Sequence, residues 1–321
     1  MQQEDTHADT VFVTGATGRL GHAMVHALVG SGSNVRALMT AKDRVKSMRP
    51  GTIPFIGKLE DKDVLEEACE GADTVFHFAG VVHVARTPAE VVMASNVEGT
   101  KNIVEACRKK HVKHLIFTSS ISVYGRKRNG SLTEDSALMP SDKYSFSKML
   151  AEQEITKSDV PYTILRMSNI YGPGFERSFF KVFRAVNEGK MVIVGNGQNH
   201  VSLIHINDVV KALMLVKDNP QACTNRIYNL GDGSVYTQEG LVDMAAEFLN
   251  VRKPTRHVKE LLVRMLAKAR GLDSDELRFL TSDRVIDISR IRKDLGFTPD
   301  IDIRTGGKQM VDDFLNRARV K

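Results

Sequence analysis

Tyr144 and Lys148 stand four residues apart in the run Tyr144-Ser145-Phe146-Ser147-Lys148, and Ser120 precedes Tyr144 by twenty-four positions. Residues four apart share one face of a helix, so the Lys148 ammonium can lie beside the Tyr144 phenol. A free phenol ionises near pH ~10, too high for a base at neutrality. A neighbouring cation favours the phenolate, and Tyr144 then becomes a general acid/base for an alcohol oxygen. Ser120 offers a hydroxyl to hold that same oxygen. A Tyr and a Lys at this spacing also occur on solvated helix faces, so the rest of the chain must decide.

The elements that would position them are legible. Asp9 to Thr14 reads as a buried strand and runs into Gly15-Ala16-Thr17-Gly18-Arg19-Leu20-Gly21, then a helical pattern through Val29. Strand, glycine turn and helix in that order are the setting of a dinucleotide site. The glycines let the chain turn tightly and let a pyrophosphate approach the amides at the helix N-terminus. They step by three and three, unlike G-x-G-x-x-G. A second strand, Asn34 to Met39, should end beside the adenosine ribose, where NAD-selective folds carry an acid. Here Arg36, Lys42 and Arg44 surround it, Arg19 sits in the glycine turn, and no carboxylate comes before Asp43. The expected cofactor is NAD(P), with NADP favoured. Further strands are expected at His114 to Ser119, Tyr162 to Met167 and Arg226 to Leu230. The alternation predicts an α/β fold, a Rossmann-type doubly wound parallel sheet with a smaller C-terminal substrate lobe. Residues 1–172, completed by 200–231, would form the dinucleotide domain; 173–199 and 232–321 would form the lobe.

Five ordered motifs resemble the extended short-chain dehydrogenase/reductase family, which includes the NAD-dependent epimerases and dehydratases, dihydroflavonol reductases and sterol dehydrogenases. They are the glycine turn, Val75-Phe76-His77-Phe78-Ala79-Gly80, Asn96-Val97-Glu98-Gly99-Thr100, the Ser120/Tyr144/Lys148 set, and Leu165-Arg166-Met167-Ser168-Asn169-Ile170-Tyr171-Gly172-Pro173. The resemblance spans nearly the whole chain. It implies hydride transfer between a substrate carbon and nicotinamide C4, with Tyr144 moving the proton at oxygen. It places Lys148 on the nicotinamide ribose and Asn96 behind Lys148 through water. The cofactor would contact Gly15, Thr17, Gly18, Arg19, Leu20, Gly21, Arg36, Leu59, Phe78, Ala79, Gly80, Ser119 and Met167, besides Tyr144 and Lys148. Ser120, Asn169 and His200 would face a small-molecule substrate. A homodimer through the helices of Asn96 and Tyr144 is a further family expectation.

The departures from the family carry the substrate information. Gly57-Lys58-Leu59 stands where Gly-Asp-Leu is usual, which removes an adenine contact and adds a base. Sugar-nucleotide 4,6-dehydratases place Asp-Glu just after the catalytic hydroxyl; Ile121 and Ser122 cannot do that elimination, and Ser122 also argues against the related decarboxylases. His200 replaces an Arg that clamps the nucleotide-sugar diphosphate in epimerases, and a neutral imidazole is a poor substitute. Arg284 or Arg177 would have to compensate. The expectation is therefore an oxidoreductase acting at a secondary alcohol or ketone. The alternatives are a nucleotide-sugar 4-epimerase with tightly bound NAD and a non-catalytic dinucleotide sensor.

Composition bounds the rest. With 321 residues and 42% hydrophobic content the chain can bury a large core. Cys69, Cys107 and Cys223 form neither a disulfide framework nor a metal set, and no signal peptide is visible, so a cytoplasmic setting is expected. His111 and His114 are read as part of a solvated Lys-rich turn. Arg108-Lys109-Lys110 and Arg126-Lys127-Arg128 contribute to a net charge of +6, without the aromatic platform that nucleic-acid binding would need. From Arg256 to Leu272, apolar residues repeat at helical spacing between basic ones. Packing of that stripe on its own domain is the first expectation, and contact with a membrane surface the second.

Overall fold

A computed structural model describes residues 8–40, 48–82, 87–269 and 283–319. Its centre is a seven-stranded parallel sheet. The strands are β1 (Thr10–Thr14), β2 (Asn34–Met39), β3 (Thr52–Ile56), β4 (Thr74–His77), β5 (His114–Ser120), β6 (Tyr162–Met167) and β7 (Arg226–Leu230). They lie in the order β7-β6-β5-β4-β1-β2-β3. The chain winds outward from β1 in one direction and from β4 in the other, so the order reverses between these two strands. Their carboxyl ends open the crevice in which such sheets bind ligands.

Period-two alternation explains the layers. Val11 and Val13 face α1 (Arg19–Gly30), while Phe12 faces the opposite side with Val75 and Leu115. Both faces of the inner strands are covered, hence their apolar runs, while the edge strand β3 is partly exposed. α2 (Lys62–Cys69) follows β3. A helix then opens at α3 (Ala89–Met93), passes through a π-helical turn (Ala94–Glu98) and continues as α4 (Gly99–Lys109). Asn96 therefore lies inside a helix, and not at its start. π turns recur at functional sites because they re-aim a side chain. α5 (Lys143–Thr156) carries Tyr144 and Lys148.

Beyond β6 come α6 (Glu176–Asn187), α7 (Ile206–Asp218), the short α8 (Pro220–Cys223), α9 (Gln238–Leu249), α10 (Glu260–Ala269), α11 (Ser289–Leu295) and α12 (Ile303–Arg319). α7 packs on α1, under the sheet. A separate apolar cluster joins α6, α9 and α12 through Phe183, Val186, Val242, Ala246, Val311 and Phe314. Short strand pairs tie that region to the sheet, among them residues 169–171 with 203–205 and 127–132 with 283–286.

His114 differs from the sequence expectation. It is 2% exposed, its Nε2 lies 2.8 Å from Thr163 Oγ1, and burial lowers its pKa to about 4. The Lys-rich turn before it is solvated, but His114 itself already belongs to β5. The three cysteines are free and buried.

Candidate active site

The glycine turn is pressed against the end of β4. Gly15 has φ +68°, and a Cβ there would lie 2.6 Å from Ala79 N; one on Gly21 would lie 2.2 Å from the Gly15 carbonyl oxygen. Neither space can hold a side chain. Gly18 caps α1 without a side-chain bond, and the first turn of α1 holds no acid. The amides there are left for an anion. Leu20 packs into the core, Thr17 is half-buried, and exposed Arg19 reaches over the Phe175 ring at 5.6 Å. Thr14 Oγ1 accepts from Ala79 N at 3.3 Å, fixing Phe78-Ala79-Gly80 beyond β4. Leu59 is buried against Gly99, and its carbonyl accepts from Asn102 Nδ2 at 2.8 Å. This cradle fits a dinucleotide: NAD(P) would be held by the turn and by the ends of β1, β4 and β5.

Arg36 does not belong to that cradle. It sits in mid-strand, and its Nη1 donates to the carbonyls of Ala68, at 3.0 Å, and Glu70. The guanidinium satisfies the C-terminus of α2. Lys42, Asp43 and Arg44 lie outside the described residues. Lys58 turns its backbone N–H to Asp61 Oδ2 at 2.7 Å.

On the other side of the crevice, α5 is fixed at its start by a capping box. Ser145 N donates to Asp142 Oδ1 at 2.9 Å, and Ser145 Oγ accepts from Asp142 N at 3.1 Å. Tyr144 is thereby held, half-buried, in the first turn. One turn on, Lys148 is 6% exposed. Its Nζ donates to the Thr118 carbonyl at 2.9 Å and lies 4.6 Å from the Phe117 ring centroid. A Cβ on Gly80 would stand 3.9 Å from that nitrogen, so Lys148 borders the crevice beside the end of β4. Burial lowers its pKa to about 8, partly offset by Glu152.

Ser120 ends β5, and its Oγ accepts from Ser122 N at 3.2 Å, capping the 3₁₀ turn Ile121–Tyr124. α5 packs on both β5 and that turn, which gathers Ser120, Tyr144 and Lys148 at one end of the sheet. Met167 pairs with Ser120 in register across β5 and β6. Ser119, Ser122 and Ser168 have buried hydroxyls without a partner among the described residues. These orphaned polar atoms are consistent with an absent polar ligand.

Asn96 has direct partners within the protein. Its Oδ1 accepts from Val81 N at 2.6 Å, and its Nδ2 donates to the Val81 carbonyl at 3.1 Å and to Ser147 Oγ at 2.9 Å. Ser147 donates in turn to the Tyr144 carbonyl at 2.8 Å. Asn96 thus ties the loop residue Val81, next to Gly80, to α5. His77, between these layers, is fully buried; its Nδ1 lies 2.7 Å from Thr14 Oγ1 and its Nε2 3.0 Å from Thr100 Oγ1. Burial first, then the Lys148 charge, lowers its pKa to about 3.

A buried network was missed in the sequence. Arg166 forms an ion pair with Glu152 at 2.8 Å, both side chains 4% exposed. Its Nη1 donates to Tyr124 OH at 2.8 Å and to the Glu134 carbonyl at 2.9 Å. Tyr124 donates to Asn229 Oδ1 at 2.7 Å. Burial alone would lower the Arg166 pKa, but the Glu152 bonds outweigh it and hold the guanidinium charged. Two signals were available: Glu152 is four residues past Lys148, and Arg166 is a charge inside an apolar strand.

Two of the three expected substrate residues, Asn169 and His200, have partners within the protein. Asn169 Nδ2 donates to the Ser202 carbonyl at 3.0 Å. His200 lies with Nδ1 2.7 Å from Asp283 Oδ1, and its backbone N–H donates to the same oxygen at 2.9 Å. Arg284 is buried, its Nη1 donating to the carbonyls of Ile121 and Gly125 at 3.2 and 2.8 Å. The Arg177 side chain is outside the described residues.

Fold and crevice together define a dinucleotide-binding α/β protein of the extended short-chain dehydrogenase/reductase type. The sequence profile of the NAD dependent epimerase/dehydratase family matches residues 11–231, and the chain belongs to that family. It is 27% identical to dTDP-glucose 4,6-dehydratase of Streptomyces griseus, over 92% of this chain and 91% of the relative. With UDP-glucose 4-epimerase of Vibrio cholerae it shares 28% identity, over 95% of each. The solved structure of MoeE5 in complex with UDP-glucose and NAD is similar, with TM-score 0.78 and 26% identity, covering 97% of this chain and 99% of that one. Among the described residues no helix is long and apolar enough to cross a membrane, and no group of three or more His, Cys, Asp or Glu could hold a metal.

Proposed function

We propose that the protein is an NAD(P)-dependent oxidoreductase that interconverts a secondary alcohol and a ketone. When bound, the nicotinamide supplies or accepts the hydride. Tyr144 gives or takes the proton at the substrate oxygen, Ser120 holds that oxygen, and Lys148 keeps the phenol acidic and binds the nicotinamide ribose. The observation that carries this reading is the Lys148 ammonium, buried one turn below Tyr144 and held by Thr118 beside Gly80. Asn96 and Ser147 act as positioning residues. Residues 1–172 with 200–231 form the cofactor domain in this reading, and the α6/α9/α12 region forms the substrate lobe.

The two positions after Ser120 offer no acid for a dehydration, since Ile121 is buried and apolar and Ser122 is a hydroxyl. The diphosphate clamp of a nucleotide-sugar enzyme is also weakly provided: His200 is bound to Asp283, and Arg284 to backbone carbonyls. This favours a substrate without a diphosphate. The support for NADP over NAD is reduced, because Arg36 is spent on α2.

A second reading, a nucleotide-sugar 4-epimerase retaining its NAD, is favoured by the likeness to MoeE5, whose structure holds UDP-glucose and NAD. Both readings need Tyr144. Tyr144→Phe should reduce turnover by roughly 10²–10⁴-fold while dinucleotide binding persists. Undiminished turnover in that variant would overturn both, whereas a biological activity that survives the loss of turnover would favour the non-catalytic sensor.

A further inference from the structure

Part of the apolar stripe of α10 is left uncovered by the described residues. Leu261 is 70% exposed, Met265 61% and Leu262 50%; the first two are the most exposed large apolar side chains among the described residues. Leu261 and Met265 are one turn apart, with Leu262 beside them, so all three belong to one face. The helix is reached through His257–Val258, which pair in parallel with Ile193–Val194.

The charge of this stretch is equally lopsided. From Arg252 to Ala269 the sequence has six cations (Arg252, Lys253, Arg256, Lys259, Arg264 and Lys268) and one anion (Glu260), a net of +5, against +6 for the whole chain. Arg252, Arg256 and Lys259 are exposed just ahead of the apolar face. Nearby acids temper this only in part: Lys253 is paired with Asp243 at 2.9 Å, and His257 lies 3.8 Å from Glu239.

We infer that the face of α10 docks on an anionic phospholipid surface, with Leu261, Leu262 and Met265 entering the headgroup boundary and Arg252, Arg256 and Lys259 meeting the lipid phosphates. Exposed leucines on a short helix preceded by cations are the elements of an in-plane anchor. Neither element alone would suffice, since the apolar contact is small and the electrostatic attraction is screened by salt. The connection to Ile193–Val194, and from there to the His200 stretch, would bring the substrate side of the protein near the bilayer. This inference is independent of the chemistry assigned to Tyr144.

The test is flotation of the full chain with vesicles of phosphatidylcholine alone or with about one third phosphatidylglycerol, at low and high salt. Association with the anionic vesicles only, weakened by salt, is expected. A Leu261→Asn/Met265→Asn double variant should bind roughly tenfold or more weakly, and Arg256→Glu/Lys259→Glu likewise, with melting temperatures unchanged because these side chains are exposed. No flotation of the wild-type chain overturns the inference, as does binding unaffected by either double variant. A concentration-dependent dimer abolished by Leu261→Asn/Met265→Asn, without lipid binding, would assign the face to a second copy. Loss of protection within residues 270–282 in that variant, again without lipid binding, would assign it to the chain's own Asp273, Asp275 and Glu276 segment.

Discussion

Arg166 and Glu152 meet across β6 and α5 through three bonds, Nε to Oε1 at 3.1 Å and to Oε2 at 3.2 Å and Nη2 to Oε2 at 2.8 Å, one helical turn past Lys148. The pair joins α5 to β6 one turn beyond the point where the Lys148 ammonium meets Thr118.

Glu152→Gln should therefore act twice. It leaves the Arg166 charge buried with a weaker partner, a loss on the order of 3 kcal/mol in urea unfolding. It also removes the charge that raises the Lys148 pKa. The alkaline limb of any pH–rate profile should then move to lower pH. A profile that stays in place would show that Glu152 does not influence the site.

Lys148 costs the fold stability at neutral pH. Its folded pKa, about 8, lies below the ordinary value of 10.5. Between those values the unfolded chain binds the proton and the folded one does not, so stability rises with pH across that window. The rise should approach about 3 kcal/mol. Lys148→Met should abolish turnover, match or exceed wild-type stability at pH 7, and lose the alkaline rise. Denaturant midpoints from pH 7 to 10 would show it.

Acid should act in the same direction through His77 and His114, both buried neutral, with pKa values lowered to about 3 and about 4. Their contribution is complete above pH ~6.5 and is lost as pH falls, by about 1.4 kcal/mol per unit for each histidine. His114→Gln should flatten the stability slope between pH 4 and 6.5. An unchanged slope would mean that His114 is protonated in the fold.

Arg36→Ala should lower thermal stability, because two carbonyls at the end of α2 lose their donor. It should leave the ratio of NAD to NADP affinity within about twofold, as expected of a residue outside the ribose pocket. A tenfold shift towards NAD would return Arg36 to that pocket.

Much of this was legible from local patterns. Asn34–Met39, Tyr162–Met167 and Arg226–Leu230 were read to the residue, because parallel strands buried on both faces leave short, predominantly apolar segments between turns, even where one polar residue interrupts them. The glycine turn was legible for the same kind of reason, since only Gly fits at 15 and 21. What sequence could not show was the direction of long polar side chains. Arg36, Asn169 and His200 were placed correctly along the chain, yet each turns to a carbonyl or carboxylate brought near by distant folding. The π turn at Asn96 was hidden because its residues suit an ordinary helix. The Leu261 face was legible as a stripe, but whether a stripe finds a partner is a tertiary fact.

The most direct test of the central claim is the cofactor balance of the purified protein, measured by mass spectrometry of any retained dinucleotide and by its consumption with hydrophobic ketones and sugar nucleotides. The account predicts exchangeable NAD(P)H oxidised mole for mole with a ketone, and lost in Tyr144→Phe. Tightly retained NAD that is never consumed, while a sugar nucleotide is isomerised, would contradict it and establish the epimerase.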